Sequence, residues 1–160
     1  MKNIQVNILD PKSVDKAIKE LNAYKKEVET KTIALAQRLT DLGADIVRMK
    51  IVSMGAYDSG ELLSGVDGYF SPSLNAGFIR VTSDHVAFVE FGTGVVGQQN
   101  PHQTGSKIFT TQDGRVGWIY PTDDGGFRFT EGMVSRPFMY ETAVELERQY
   151  MQIAKEVFAK

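Results

Sequence analysis

The stretch HVAFVEFGTGVVGQQN, residues 85–100, decides how this chain is read. Its first part, HVAFVEF (85–91), is apolar and β-prone, and predicts a strand. A lone acid, Glu90, stands in it between Val89 and Phe91. Gly92-Thr93-Gly94 follows, where the backbone is free to turn sharply. An ionised carboxylate only accepts hydrogen bonds, so its natural partners are free backbone amides. The residues favour a structural role: Glu90 accepts N–H bonds from the glycine turn and pins the start of a long loop over 92–106. Arg136, which precedes Pro137 and Phe138 at the head of the last helix, is a second candidate partner for Glu90, within one chain or across subunits. Phe91, Gly92, Thr93, Gly94, Val95 and Val96 complete the candidate set, the two valines as anchors of a Gln/Asn/Gly-rich arm.

Working outward, GFIRVTS (77–83) predicts a second strand, joined to 85–91 by a turn at Ser83-Asp84. DSGELLSGV (58–66) predicts a short helical turn, capped by Asp58 or Ser59, that leads into a strand. At the start, Ile4, Val6 and Ile8 alternate with polar neighbours and predict a short strand. Asp10 then offers an N-cap and Pro11 a first helical residue. From there to about Met49 apolar residues follow a 4-3 rhythm: Val14, Ile18, Leu21, Val28, Leu35, Leu39, Leu42, Ile46 and Met49, with Lys25 and Thr32 on the same stripe. That predicts one long amphipathic helix, or two broken near Gly43. Downstream, KIFTTQDGRVGWIY predicts a hairpin turning at Asp113-Gly114, and TDDGG a further turn before FRFTEG. The end, RPFMYETAVELERQYMQIAKEVFAK, predicts a second amphipathic helix with Met139, Ala143, Leu146, Tyr150, Ile153 and Val157 on one stripe. The expected fold is therefore α+β. An antiparallel sheet packs against a long N-terminal helix and a C-terminal helix, with a long loop (92–106) and a β-hairpin insertion (107–131), in one domain over residues 1–160.

Composition narrows the function classes. The chain is 42% hydrophobic and 24% charged, with a formal net charge of -2, so it lacks the basic excess of a typical nucleic-acid binder. No apolar run is long enough to span a membrane, and the first residues carry no secretory signal pattern. Without cysteine there is no thiolate nucleophile, disulfide or Cys-based zinc site. A small hydrolase or metal enzyme would have to use Asp84, His85 and Glu90. Asp84 and His85 are neighbours at a turn, and neighbouring strand residues point to opposite faces. His85 and His102 lack metal-ligand spacing. Gly92-Thr93-Gly94 lacks the lysine and the helix-opening context of a phosphate loop. Ser59, Ser64 and Ser135 have no nucleophile elbow. These residues predict no catalytic centre, no cofactor and no metal.

Three elements carry a resemblance. YDSGELLSGV (57–66) resembles a Thr/Ser-Gly-x-Leu-x-x-Ser-Ile/Val pattern. HVAFVEFGTG (85–94) resembles Tyr-Ala-x-Tyr-Val-Glu-Phe-Gly-Thr. SRPFMYETA (135–143) resembles a Pro-Phe-Leu/Met-x-Pro-Ala pattern opening a final helix. In this order, after a long helix, they resemble the gp-ten-like head–tail joining (neck, or tail-completion) proteins of long-tailed bacteriophages, over about residues 30–158. The chain departs from the patterns at Ser64, one position early, at His85 in place of an aromatic, and at Glu141 in place of a proline. Its 95–132 region is longer than in compact members. The resemblance implies a structural virion protein, made in the bacterial cytoplasm, with no catalysis. It implies a ring of identical copies, commonly a hexamer in such families, between connector (head-closure) protein and tail tube or terminator protein, with DNA passing through the lumen without specific binding and no membrane contact. A tail terminator ring, or the equivalent part of a phage-tail-like particle, is the nearest alternative. A ring needs two different patches on each subunit. The long helix, the loop and the β-edges are the expected patches.

Overall fold

The computed structural model describes residues 4–57, 60–94, 96–98, 114, 116–122 and 124–159. A helix of 43 residues, α1 (Pro11–Ser53), dominates it. Asp10 caps its start: the carboxylate accepts the Lys12 N–H at 3.1 Å, and Pro11 occupies the first turn, where its missing N–H costs nothing. The helix runs through Gly43 without a break. Then come α2 (Glu61–Ser64), β1 (Val66–Ser71), β2 (Ala76–Val81), α3 (Val86–Phe91), β3 (Thr93–Gly94), a 3-10 turn (Val96–Gln98), β4 (Trp118–Pro121), β5 (Phe127–Thr130), β6 (Gly132–Met133) and α4 (Phe138–Ala159). The expected α+β architecture is present, with its strands in three two-stranded antiparallel ladders, β1–β2, β3–β6 and β4–β5.

α4 lies antiparallel along the second half of α1. Ion pairs mark the two ends of the contact: Lys50 with Glu141 at 3.6 Å, and Arg38 with Glu156. β1–β2 covers another side of the same half of α1. Its inner face is Val66, Gly68, Phe70, Gly77, Ile79 and Val81, set by the pairing Val66↔Val81, Gly68↔Ile79 and Phe70↔Gly77. Small residues let the layers approach closely. A Cβ on Gly68 would stand 3.1 Å from the Ala44 Cβ, and one on Gly77 would run into the Thr40 hydroxyl. The outer face is polar and aromatic. Asp67 pairs with Arg80 at 3.1 Å, Tyr69 stacks on Phe78 with centroids 5.3 Å apart, and the Arg80 guanidinium lies 5.4 Å from the Tyr69 ring centre.

The core gathers at the C-terminal end of α1. Ala44, Val47 and Ile51 meet Ala56, Leu62, Val66, Val89 and Phe138, with Val47, Ile51 and Phe138 fully buried. The long apolar stripe of α1 is thus used only in part. Leu35 and Ile46 are buried, whereas Met49, Ile18 and Leu21 are exposed, and the buried face includes Thr40, Gly43, Ala44 and Val47 instead. On α4 the buried residues are Phe138, Thr142 and Ile153; of the predicted stripe Ile153 is buried and Met139 packs against the core, whereas Ala143 and Tyr150 lie outside. Among the described residues no helix is long and apolar enough to cross a membrane.

Three local expectations are corrected. Residues 86–91 form a helix, not a strand. Val89 and Glu90 are buried and Val86 packs on the core, the i, i+3, i+4 face of a helix, while Phe88 points out at 53% exposure. An apolar run this short carries no decisive period, so packing chose. No strand forms over 4–8: this segment finds no partner strand, and Ile8 is 84% exposed. The described part of 92–106 is not bare loop, because Thr93 and Gly94 pair with Met133 and Gly132. The expected TDDGG turn does form, at Thr122–Gly126, and closes the β4–β5 ladder. There Asp124 accepts from the Thr122 hydroxyl and the Gly126 amide, which hold its carboxyl below the usual carboxylate range. Asp113, Val95, His102 and the caps proposed at Asp58 and Ser59 lie outside the described residues; Gly60 heads α2.

Overpacking the helix–sheet contact tests this architecture. Gly77→Ala forces the Thr40 hydroxyl off its bond to Ala36 O (2.8 Å) and should cost about 1–3 kcal/mol. Chemical denaturation checks it, with a lowered midpoint at unchanged m-value as the expected result.

Candidate functional site

The site is the joint between α3 and α4, and it starts from a helix that cannot cap itself. Pro137 C=O accepts the first intrahelical bond of α4, from Glu141 N–H at 2.9 Å, so Pro137 stands at the N-cap. A proline side chain has no acceptor for the free amides of the first turn. Glu90 supplies it from a distant part of the chain. Its Oε2 accepts the Met139 N–H at 2.9 Å and its Oε1 accepts the Tyr140 N–H at 3.0 Å. Those are the second and third helical residues, the amides a Ser or Asp cap would satisfy. Glu90 is 5% exposed, and the positive end of a 22-residue helix favours its negative charge.

The contact is reciprocal. α3 ends with unpaired carbonyls of its own. Val89 C=O accepts the Arg136 N–H at 2.8 Å, and Glu90 C=O accepts the Ser135 hydroxyl at 2.6 Å. The end of one helix and the start of the other thus cap each other. Glycines make room. Gly92 ends α3 at φ 70, ψ 175, a conformation restricted to glycine, and a Cβ there would lie 2.7 Å from Ser135 N. Gly132, at φ 114, backs directly onto the Thr93 carbonyl. Thr93 Oγ1 accepts the Met133 N–H at 3.1 Å and ties β3 to β6 beside the joint.

The predicted residues therefore come together, by a route other than expected. Glu90 does accept backbone amides, but they belong to α4 and not to the glycine turn. Arg136 reaches α3 through its main chain, and among the described residues no ion pair joins it to Glu90 within the chain. Phe138 is fully buried in the core beside Val89. Phe91 and Val96 are about one-third exposed, at 37% and 38%. Sequence reasoning missed Ser135, Met133 and Gly132. A signal for the cap itself was present: a helix opening on Pro-Phe with no polar cap needs its acceptor from elsewhere, and Glu90 is that acceptor.

An open groove of about 430 Å³ runs over the joint, lined by Val86, Ala87, Glu90, Phe91, Met139 and Tyr140. Its walls are largely apolar, and the carboxylate at its base is already bonded to two amides. His85 and Asp84 sit at the opposite end of α3. His85 C=O accepts the Val89 N–H at 3.1 Å, and the Asp84 N–H reaches Glu61 Oε1 at 3.4 Å. Five residues of helix separate His85 from Glu90, about 7.5 Å of rise, so the three groups do not converge on one point. Among the described residues no cluster of three or more His, Asp or Glu is placed to hold a metal ion.

Glu90→Gln keeps the shape but sets an NH₂ group against one of the two amides. It should destabilise the fold by about 2–3 kcal/mol, lowering Tm by roughly 5–10 °C for a chain of this size. Thermal unfolding followed by circular dichroism measures it; an unchanged Tm would mean that the joint does not depend on the carboxylate. The chain matches no protein-family model, no curated protein and no solved structure.

Proposed function

We propose that this chain is a structural ring subunit of the head–tail interface of a long-tailed bacteriophage, joining connector to tail around the DNA channel. One observation carries the reading. The three sequence elements that resemble the neck family meet in a single core: Leu62 and Val66 from the first, Val89 from the second and Phe138 from the third are packed together. The second and third elements also exchange caps through Glu90, Ser135 and Arg136. Motifs scattered at random over a chain would have no reason to converge.

The chemistry of the joint points the same way. Among the described residues the one buried carboxylate, Glu90, holds two backbone amides, and its geometry serves rigidity. The surface, by contrast, carries many large apolar side chains, among them Ile119 at 60% and Phe127 at 75% exposure. Scattered exposed apolar residues are normal, but groups of them on one helix stripe and one hairpin face suit a protein that works as part of an assembly.

Mass measurement and negative-stain imaging of the purified protein, alone and mixed with phage connector and tail-tube proteins, test the proposal. The expected result is a closed ring, six copies being the family expectation, either free or on the connector. A protein that stays monomeric in both conditions, or one that localises away from the neck in labelled virions, overturns it.

A further inference from the structure

Main-chain hydrogen bonds divide this chain at one place. Among the described residues, every such bond joins either two residues up to 82 or two residues from 83 on. The first part is α1, α2 and the β1–β2 hairpin. There the Thr82 N–H donates to Gly65 C=O at 3.1 Å, and the Arg48 guanidinium donates to Val66 C=O at 3.1 Å, fastening the hairpin to α1. In the second part the bonds link its beginning to its end. Glu90 accepts from Met139 and Tyr140, Val89 from Arg136, and Thr93 from Met133.

The seam between the two parts is of another kind. Val89 and Phe138 press on Val47, Ile51, Leu62 and Val66 in the shared core. Around that core lie side-chain links: Lys50 to Glu141 at 3.6 Å, Arg38 to Glu156, Lys31 Nζ to Phe158 O at 3.5 Å, and the Asp84 N–H to Glu61 Oε1 at 3.4 Å. Ion pairs this accessible to solvent hold little. The seam can therefore part without breaking a main-chain hydrogen bond between described residues.

Inside the second part the costs run the other way. If α4 left alone, Glu90 would remain as a buried carboxylate without its two amides, and α3 would lose the donors for its last carbonyls. If α3 left alone, the first turn of α4 would lose its acceptor. Taking α3 along with α4 adds only the uncovering of Val89 and part of Val86, the smaller penalty. Away from α1, a six-residue helix has no stability of its own.

We infer that the latched segments 86–94 and 132–159 leave the body as one cooperative unit while 11–82 stays folded, with Glu90 as the latch. The open form uncovers Val47 and Ile51 on α1. The inference is independent of the ring reading and holds for a single copy.

Amide hydrogen exchange of the full chain, resolved residue by residue by NMR under conditions where closing outpaces exchange, tests it. Val89, Arg136, Met139 and Tyr140 should share one opening constant. Thr82, Val47 and Ile51 should exchange roughly tenfold more slowly or beyond, through complete unfolding. Gly77→Ala loosens a contact present in both the closed and the open form, so it should speed only the second set, by about fivefold. Glu90→Gln weakens the closed form alone and should speed both sets, on the order of tenfold. Exchange of Met139 and Tyr140 while Val89 stays protected overturns the inference. So does a single rate for both sets that Gly77→Ala raises throughout, or a body set that exchanges faster than the latched one.

Discussion

A carboxylate with two oxygens, placed where two helix amides have no other acceptor, organises this protein. Pro137 opens α4 in the correct backbone conformation but cannot satisfy the first turn, and Glu90 does so from another part of the chain. Burying a charge is costly unless hydrogen bonds and a favourable field offset it. Here two amides and a helix N-terminus do both. The consequences spread outward. To aim its carboxylate at α4, Glu90 has to stand on the same helical face as Val86 and Val89, so the segment becomes a helix. To leave that helix at the required angle the chain needs a backbone conformation open only to glycine, and Gly92 provides it. The last carbonyls of α3 then find their donors in Ser135 and Arg136.

Around this joint the molecule is unevenly packed. At the C-terminal half of α1, glycines, alanines and a threonine allow the helix and β1–β2 to approach closely, and α4 closes the remaining side. In the other half of α1 every residue from 18 to 27 is exposed, and on the β4–β5 hairpin Ile119 and Phe127 are exposed. One end of the chain is built as a rigid body and the other presents surface. That division suits a component whose stability is shared with its neighbours, since surface left bare on one copy is stabilised only when another copy covers it.

The same geometry keeps Glu90 and His85 from working together as an acid–base pair. A general acid or base must be free to exchange a proton with a reacting group within hydrogen-bond reach. Both Glu90 oxygens are directed at main-chain amides, and His85 lies a turn and a half of helix away along α3.

The helices were legible in the sequence because their signals are local. The Asp10-Pro11 start marks where α1 begins, while Gly43 left a break open that only the structure closes, and the amphipathic pattern marks α4. β1, β2 and the short turn of α2 were legible for the same reason: alternation, and glycine-bounded punctuation. Glu90 also stood out by itself, as an acid in an apolar run. What it holds could not be read, because its partners are amides about 50 residues away that every residue type possesses. Nor could the state of 86–91, where six residues fit either period and the choice fell to the core face that Val86, Val89 and Glu90 share. The exposed stretch of α1 over 18–27 illustrates the limit most directly. The amino-acid order sets a continuous apolar stripe, but only the length and placement of α4 decide how much of that stripe this chain can bury, because burial is a property of what lies opposite and not of the residue itself.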